Sequence, residues 1–181
     1  MKKWAMLATA VTLVSLISSR AMAEQSARTI SDVTVIEHPE GGSQIAFRWD
    51  PSIPEGNVAV RQALLRFELQ GNPIERSRTI RVYPITSNWS PGSPSVEYDE
   101  GFWTRTELDF SRNGPAVVDL TALVKDIVEA DMTSYGFLLT VGPGDEPGLD
   151  EAEVARFGGL STGTVDVKWR SVPQVPSRVE G

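Results

Sequence analysis

Apolar and polar residues alternate along this chain in short stretches, and alternation at period two marks half-buried strands. Ser31 to Glu37 carries the β-branched series Val33, Thr34, Val35 and Ile36 and reads as a strand. Gln44 to Asp50 sets Ile45, Phe47 and Trp49 on one face and Gln44, Ala46, Arg48 and Asp50 on the other, which makes Trp49 a core residue. From Ala63 to Leu69 the apolar face is Ala63, Leu65, Phe67 and Leu69, with Leu64, Arg66 and Glu68 opposite. A strand over Thr79 to Thr86 contains Pro84, which cannot donate a ladder hydrogen bond. The pattern there predicts an edge strand or a bulge that lets Val82 and Ile85 share a face. Ala116 to Asp119, Phe137 to Val141, Val154 to Leu160 and Thr164 to Arg170 supply further strands. Phe137 to Val141 is apolar on both faces, as a central strand is. Period 3.6 occurs once: Leu120, Leu123, Val124, Ile127 and Val128 form a single stripe, with Asp119 or Thr121 able to cap the helix start. Three turns are marginal alone, so this helix must pack on a sheet.

Gly and Pro clusters separate the strands, at Pro39–Gly42, Pro51–Asn57, Gly71–Pro73 and Asn113–Pro115, and an acidic Gly/Pro loop runs from Gly142 to Glu153. Ser87 to Arg112 is the least regular stretch. Eight or nine short strands with one brief helix predict an all-β fold, an antiparallel β-sandwich of jelly-roll type. No alternating βα units support a Rossmann fold or an α/β barrel.

The first residues follow a different logic. Lys2 and Lys3 precede an apolar run from Trp4 to Ile17, then Ser18-Ser19-Arg20 and the small-x-small sequence Ala21-Met22-Ala23. This is the pattern of a Sec signal peptide cleaved after Ala23; the apolar run is shorter than the roughly 20 residues of a spanning helix. The expected organisation is a signal peptide over 1–23, a flexible lead-in over 24–30, a sandwich over 31–171 and a disordered tail over 172–181. Secretion or periplasmic residence follows, with no membrane attachment after cleavage. Loss of the leader removes three basic residues and shifts the formal charge from −7 to −10, a surface that repels nucleic acid and anionic lipid. The chain has no cysteine, so neither disulfides nor thiolate chemistry enters, and stability must come from packing.

Five segments in order carry a resemblance: Ala63-Leu64-Leu65-Arg66-Phe67-Glu68-Leu69; Arg81 to Thr86; Trp89 followed by Tyr98; Asp119-Leu120-Thr121; and Tyr135-Gly136-Phe137-Leu138-Leu139. They resemble the DNRLRE domain, a secreted β-sandwich related to carbohydrate-binding modules, over about Gln62 to Trp169. The resemblance implies that fold and a carbohydrate-binding function. The chain departs from the family between the first two segments, where only Gln70 to Ser77 stands in place of an additional strand, and at Ser161-Thr162-Gly163, where the family often has Arg-Pro.

No enzyme motif is present: neither G-x-S-x-G, H-E-x-x-H, a P-loop nor G-x-G-x-x-G. The single histidine, His38, precedes Pro39 without a recognisable nucleophile or orienting partner. The loop acids Glu97, Asp99 and Glu100 lie too close in sequence to be assigned to opposite sides of a glycosidic bond. Beside them, however, Tyr98, Phe102 and Trp103 offer flat apolar faces for sugar C–H surfaces, and Glu97, Asp99 and Arg105 offer groups for hydroxyls. Against this stands packing, with Trp89, Phe102 and Trp103 plugging one end of the sandwich. Asp145, Glu146, Asp150, Glu151 and Glu153 are either oxygen ligands for a structural calcium ion, without the EF-hand order, or a plain charged loop. The resulting expectation is a non-catalytic binder of polysaccharide or cell-surface glycan. The alternatives are a structural or adhesive protein that binds a surface protein and, more distantly, a small polysaccharide-degrading enzyme.

Overall fold

The computed structural model describes residues 24–50, 53, 58–130, 132–141 and 147–172. The leader, the tail beyond Val172 and residues 142–146 lie outside the described residues. Within them, nine strands form two antiparallel sheets: β1 (Glu24–Thr29), β2 (Ser31–Glu37), β3 (Ser43–Arg48), β4 (Val58–Leu69), β5 (Ser77–Pro84), β6 (Thr104–Asp109), β7 (Gly114–Asp119), β8 (Phe137–Val141) and β9 (Thr164–Ser171). One sheet has the order β1-β9-β4-β7, the other β2-β3-β8-β5-β6. With β2 set aside, the chain crosses between the sheets at every step except the β5–β6 hairpin, so that 1-9-4-7 faces 3-8-5-6, the double Greek key of a jelly roll. Strand β2 is an addition at one edge.

On β3, β4 and β9 the predicted faces are the observed ones. Ile45, Phe47, Trp49, Leu65, Phe67, Leu69, Val165, Val167 and Trp169 meet in one core between the sheets, and Trp49 stacks on Phe137 at 5.9 Å between ring centroids. All five residues of β8 are buried, because it lies between β3 and β5 and carries apolar cover on both faces. Helix α1 (Thr121–Glu129) drives Leu123 and Val124 into the core. It is tied to β4 at both ends: Thr121 Oγ1 accepts from the Ala63 N–H at 3.0 Å and Glu129 Oε1 from the Val60 N–H at 2.6 Å. The second bond falls where the register of β4 against β9 shifts, between Val60 and Gln62. The N-cap is Leu120, without a side-chain cap, in place of the expected Asp119 or Thr121; Asp119 Oδ1, one residue earlier, accepts from the Thr121 N–H at 2.8 Å.

Four expectations need correction. Residues 24–29 are strand β1, paired along their whole length with β9; a polar strand at a sheet edge is held by backbone bonds and leaves no hydrophobic period. The loop-rich stretch 87–112 contains β6, whose alternation is hidden because Thr104 and Thr106 take apolar positions. Pro84 causes neither an edge strand nor a bulge. Strand β5 is interior and in unbroken register with β8, and Pro84 lies beyond the last β6 partner at Val82. Val82 therefore faces the inner core, whereas Ile85 faces outward with Tyr83. Finally, Glu151–Arg156 is a second helix, α2, continued by a 3₁₀ turn over Gly158–Thr162, where a loop and a strand over Val154 to Leu160 were expected. The acids before it are its capping box: Asp150 Oδ1 accepts from the Glu153 N–H at 2.8 Å and Glu153 Oε2 from the Asp150 N–H at 2.9 Å.

Candidate functional site

The outward face of the five-stranded sheet is partly roofed by the segment between β5 and β6. Two backbone bonds fix this roof, Thr86 N–H to Glu97 O at 2.9 Å and Asp99 N–H to Pro84 O at 3.1 Å, and together they pair Ile85 with Tyr98 in a short antiparallel bridge. Beneath it Ile36, Ala46, Tyr83, Ile85, Trp89 and Leu138 form a second, smaller core, joined by Val96 and Tyr98. Trp89 is buried there. Its Nε1 donates to Tyr135 O at 3.0 Å, and the Arg48 guanidinium lies over its ring at 5.3 Å and donates to its carbonyl.

Where the roof stops, the sheet face opens into a groove of about 300 Å³ lined by His38, Pro39, Glu40, Arg81, Tyr83, Tyr98, Glu100, Thr140 and Val141. Strand parity explains the floor. Because Ile80 and Val82 point into the sandwich, Arg81 and Tyr83 point out. Gln44 and Thr140, buried on the neighbouring strands, are joined by a 3.3 Å hydrogen bond from Gln44 Nε2 to Thr140 Oγ1. Tyr83 and Tyr98 pack with tilted rings 5.0 Å apart. Burial, then the nearby Glu100 carboxylate and Tyr83, push the Tyr98 phenol above its ordinary pKa, against a hydrogen bond with Gln44 that pulls it down; the hydroxyl stays a proton donor through neutral pH. Arg81 forms the wall toward β6, with its guanidinium 4.2 Å from the Trp103 ring centroid, and its Nε is enclosed without a partner. A larger depression of about 430 Å³ lies near Leu69, Glu107, Asp109, Arg112 and Asn113, but no aromatic ring lines it.

The structure thus gathers part of the predicted set. Tyr98 lines the groove, Trp103 is 37% exposed and held by Arg81, and Arg105 lies directly across from Arg81 in the β5–β6 register. Phe102 instead packs against the main core. Glu97 is exposed and contributes its carbonyl to the roof. The Asp99 carboxylate closes a turn by accepting from the Gly101 N–H at 2.9 Å. His38, at one end of the groove, accepts the Glu40 N–H through Nδ1 at 3.1 Å. Sequence reasoning missed Arg81, Tyr83, Gln44 and Thr140. The signal was the parity through Ile80 and Val82, which the bulge expected at Pro84 obscured.

Of the acidic loop, Asp145 and Glu146 lie outside the described residues. Asp150 caps α2 and accepts from Arg76 Nη1 at 3.0 Å, and Glu151 is exposed in the first turn. Glu153 is buried and accepts from Arg76 Nη1 at 3.0 Å and Arg78 Nε at 2.7 Å. Burial raises its pKa, but Arg78, the Asp150 N–H and Arg76 outweigh that and hold it below the usual glutamate value. Among the described residues no group of three or more His, Asp or Glu is placed to hold a metal ion, and no helix is long and apolar enough to cross a membrane.

Comparison with profiles of known protein families and with curated proteins finds no match. The likeness to the DNRLRE domain rests on the residues that carry it.

Proposed function

We propose that this protein is an exported, non-catalytic β-sandwich that binds polysaccharide in the groove on the outer face of its five-stranded sheet. The observation that carries the reading is the pairing of aromatic surface with polar groups there: Tyr98 and Tyr83 line the groove together with Arg81, Glu40 and Glu100, next to the buried Gln44–Thr140 pair, and Arg81 holds the partly exposed Trp103. Sugar recognition needs these two elements together, flat rings for C–H faces and fixed polar groups for hydroxyls. The leader and the order of DNRLRE-like segments support the same reading. A structural or adhesive protein is the second reading, favoured by the burial of Trp89 and the packing of Phe102, which spend two of the loop aromatics on stability.

Affinity electrophoresis of the purified protein through gels containing neutral or acidic polysaccharides tests the proposal. Retardation by at least one glycan, weakened in Trp103→Ala and Tyr98→Ala, is expected. Unchanged mobility in every gel, or retardation that both variants retain in full, would overturn it.

A further inference from the structure

The groove lies on the five-stranded sheet; the four-stranded sheet carries a different feature at its edge. Strand β1 pairs with β9 over six consecutive residues, Glu24 opposite Trp169 through Thr29 opposite Thr164, with no register break. Among the described residues its other edge has no strand beside it. Natural sheets usually blunt such an edge with a proline, a bulge or a lysine. The edge strand β2 is broken by a register shift between Ser31 and Thr34, and the edge strand β7 carries Pro115. Strand β1, Glu-Gln-Ser-Ala-Arg-Thr, has no proline, bulge or lysine, and neither has the remaining edge strand, β6; the charges that β1 does carry, Glu24 and Arg28, are of opposite sign.

Its side chains are self-complementary. In an antiparallel pair of two β1 strands with Ser26 opposite Ser26, Glu24 of one copy falls opposite Arg28 of the other, and the reverse contact follows by symmetry. Glu24, Ser26 and Arg28 share one face by strand parity, so both charge pairs and the serine pair lie on the same side of the new ladder. Glu24 and Arg28 are exposed and neither makes an ion pair within the described residues. Ser26 Oγ is enclosed yet has no hydrogen-bond partner.

We infer that the chain self-associates as a twofold dimer through edge-to-edge pairing of β1, joining two four-stranded sheets into one of eight strands. The occupant of the β1 edge is a second copy of this chain, specified by the Glu24–Arg28 pairs on either side of the Ser26 dyad. A six-residue ladder is small beside a standard protein interface, so the dimer is a weak, concentration-dependent one. Because β1 belongs to the sheet opposite the groove, association leaves both grooves open.

Sedimentation equilibrium of the full chain, purified as the cell processes it, tests this over micromolar to millimolar concentration. Wild type is expected to pass from monomer to dimer across that range. Arg28→Glu places like charges opposite one another at two symmetric positions and should weaken the dimer roughly tenfold or more. The double variant Glu24→Arg/Arg28→Glu reverses both charges and should restore wild-type affinity to within about threefold. Hydrogen exchange of wild type alone gives a readout that needs no variant: β1 amides should become more protected as concentration rises. A protein that stays monomeric to about millimolar concentration, a dimer indifferent to Arg28→Glu, or one that the double variant fails to restore would overturn the inference, as would β1 amides whose exchange does not change with concentration. None of these outcomes depends on glycan binding.

Discussion

Replacing Arg156 with methionine should unfasten the end of the sandwich beneath α2. The Arg156 side chain is fully buried, and no carboxylate is among its hydrogen-bond partners. Its Nη1 donates to Gln70 O at 2.5 Å, Gly71 O at 3.0 Å and Asn113 Oδ1 at 2.6 Å, and its Nη2 to Arg112 O at 2.5 Å. One guanidinium thus ties α2 to the loop after β4 and to the turn between β6 and β7. Nη1 has two N–H groups for its three acceptors, so the set amounts to three bonds; at the low end of the range for hydrogen bonds to a charged group, about 1.5 kcal/mol each, that is about 4.5 kcal/mol. Methionine fills much of the volume and recovers several kcal/mol of the desolvation cost of the buried cation, while water re-solvates part of the freed carbonyls. The expected net loss is about 3 kcal/mol, or a fall in Tm of roughly 6–12 °C for a domain of this size. Equilibrium unfolding in guanidinium chloride, followed by tryptophan fluorescence, measures it. Arg156→Lys should recover only part of the loss, since a single ammonium cannot span both loops in the way the planar fork does. A loss below about 1 kcal/mol for Arg156→Met would refute the reasoning, because the loops would then hold without their tie.

Other expectations follow from particular contacts. Glu153 has a lowered pKa in the folded protein, so its stabilising effect is present above the ordinary glutamate value of about 4.3 and is lost as pH falls through the lowered folded value; acid melts of wild type should steepen in that window, and those of Glu153→Gln should be flatter there. Gly136 has φ +126°, and a Cβ built on it would come within 2.2 Å of Phe47 O, so Gly136→Ala should cost about 2–4 kcal/mol in a denaturant titration. Tyr83→Phe removes the hydroxyl that receives Arg81 Nη1 at 3.5 Å but keeps the ring; on the glycan-binding reading it should weaken retardation less than Trp103→Ala does, and a larger effect would argue that the hydroxyl, not the aromatic surface, dominates recognition.

How much was legible in the chain varied with the kind of force that fixes each part. Strands β3, β4, β7 and β9 could be read directly because each buries one apolar face, and burial imposes period two on the sequence. Helix α1 could be read for the same reason at period 3.6. Strands β1 and β6 could not, since the first is held by backbone bonds at an edge and the second places threonines in apolar positions. Helix α2 did leave a signature, the Asp150 and Glu153 spacing of a capping box, but one acid pattern serves equally for a cap, an ion pair or a metal ligand. Only the placement of Arg76 and Arg78 beside it shows which is used.

The sequence by itself determined the class of fold, the greater part of the inner core and the absence of recognisable enzyme motifs, because each of these is written in local period, composition or spacing. The groove was decided by tertiary structure. Arg81 and Tyr83 on β5, Gln44 on β3, Thr140 on β8 and Tyr98 in the roof come from four segments far apart in the chain, and they meet because β8 is inserted between β3 and β5. No local pattern encodes that insertion. It follows from which strands can bury their apolar faces together, and the outward side chains are carried into place by the inward ones.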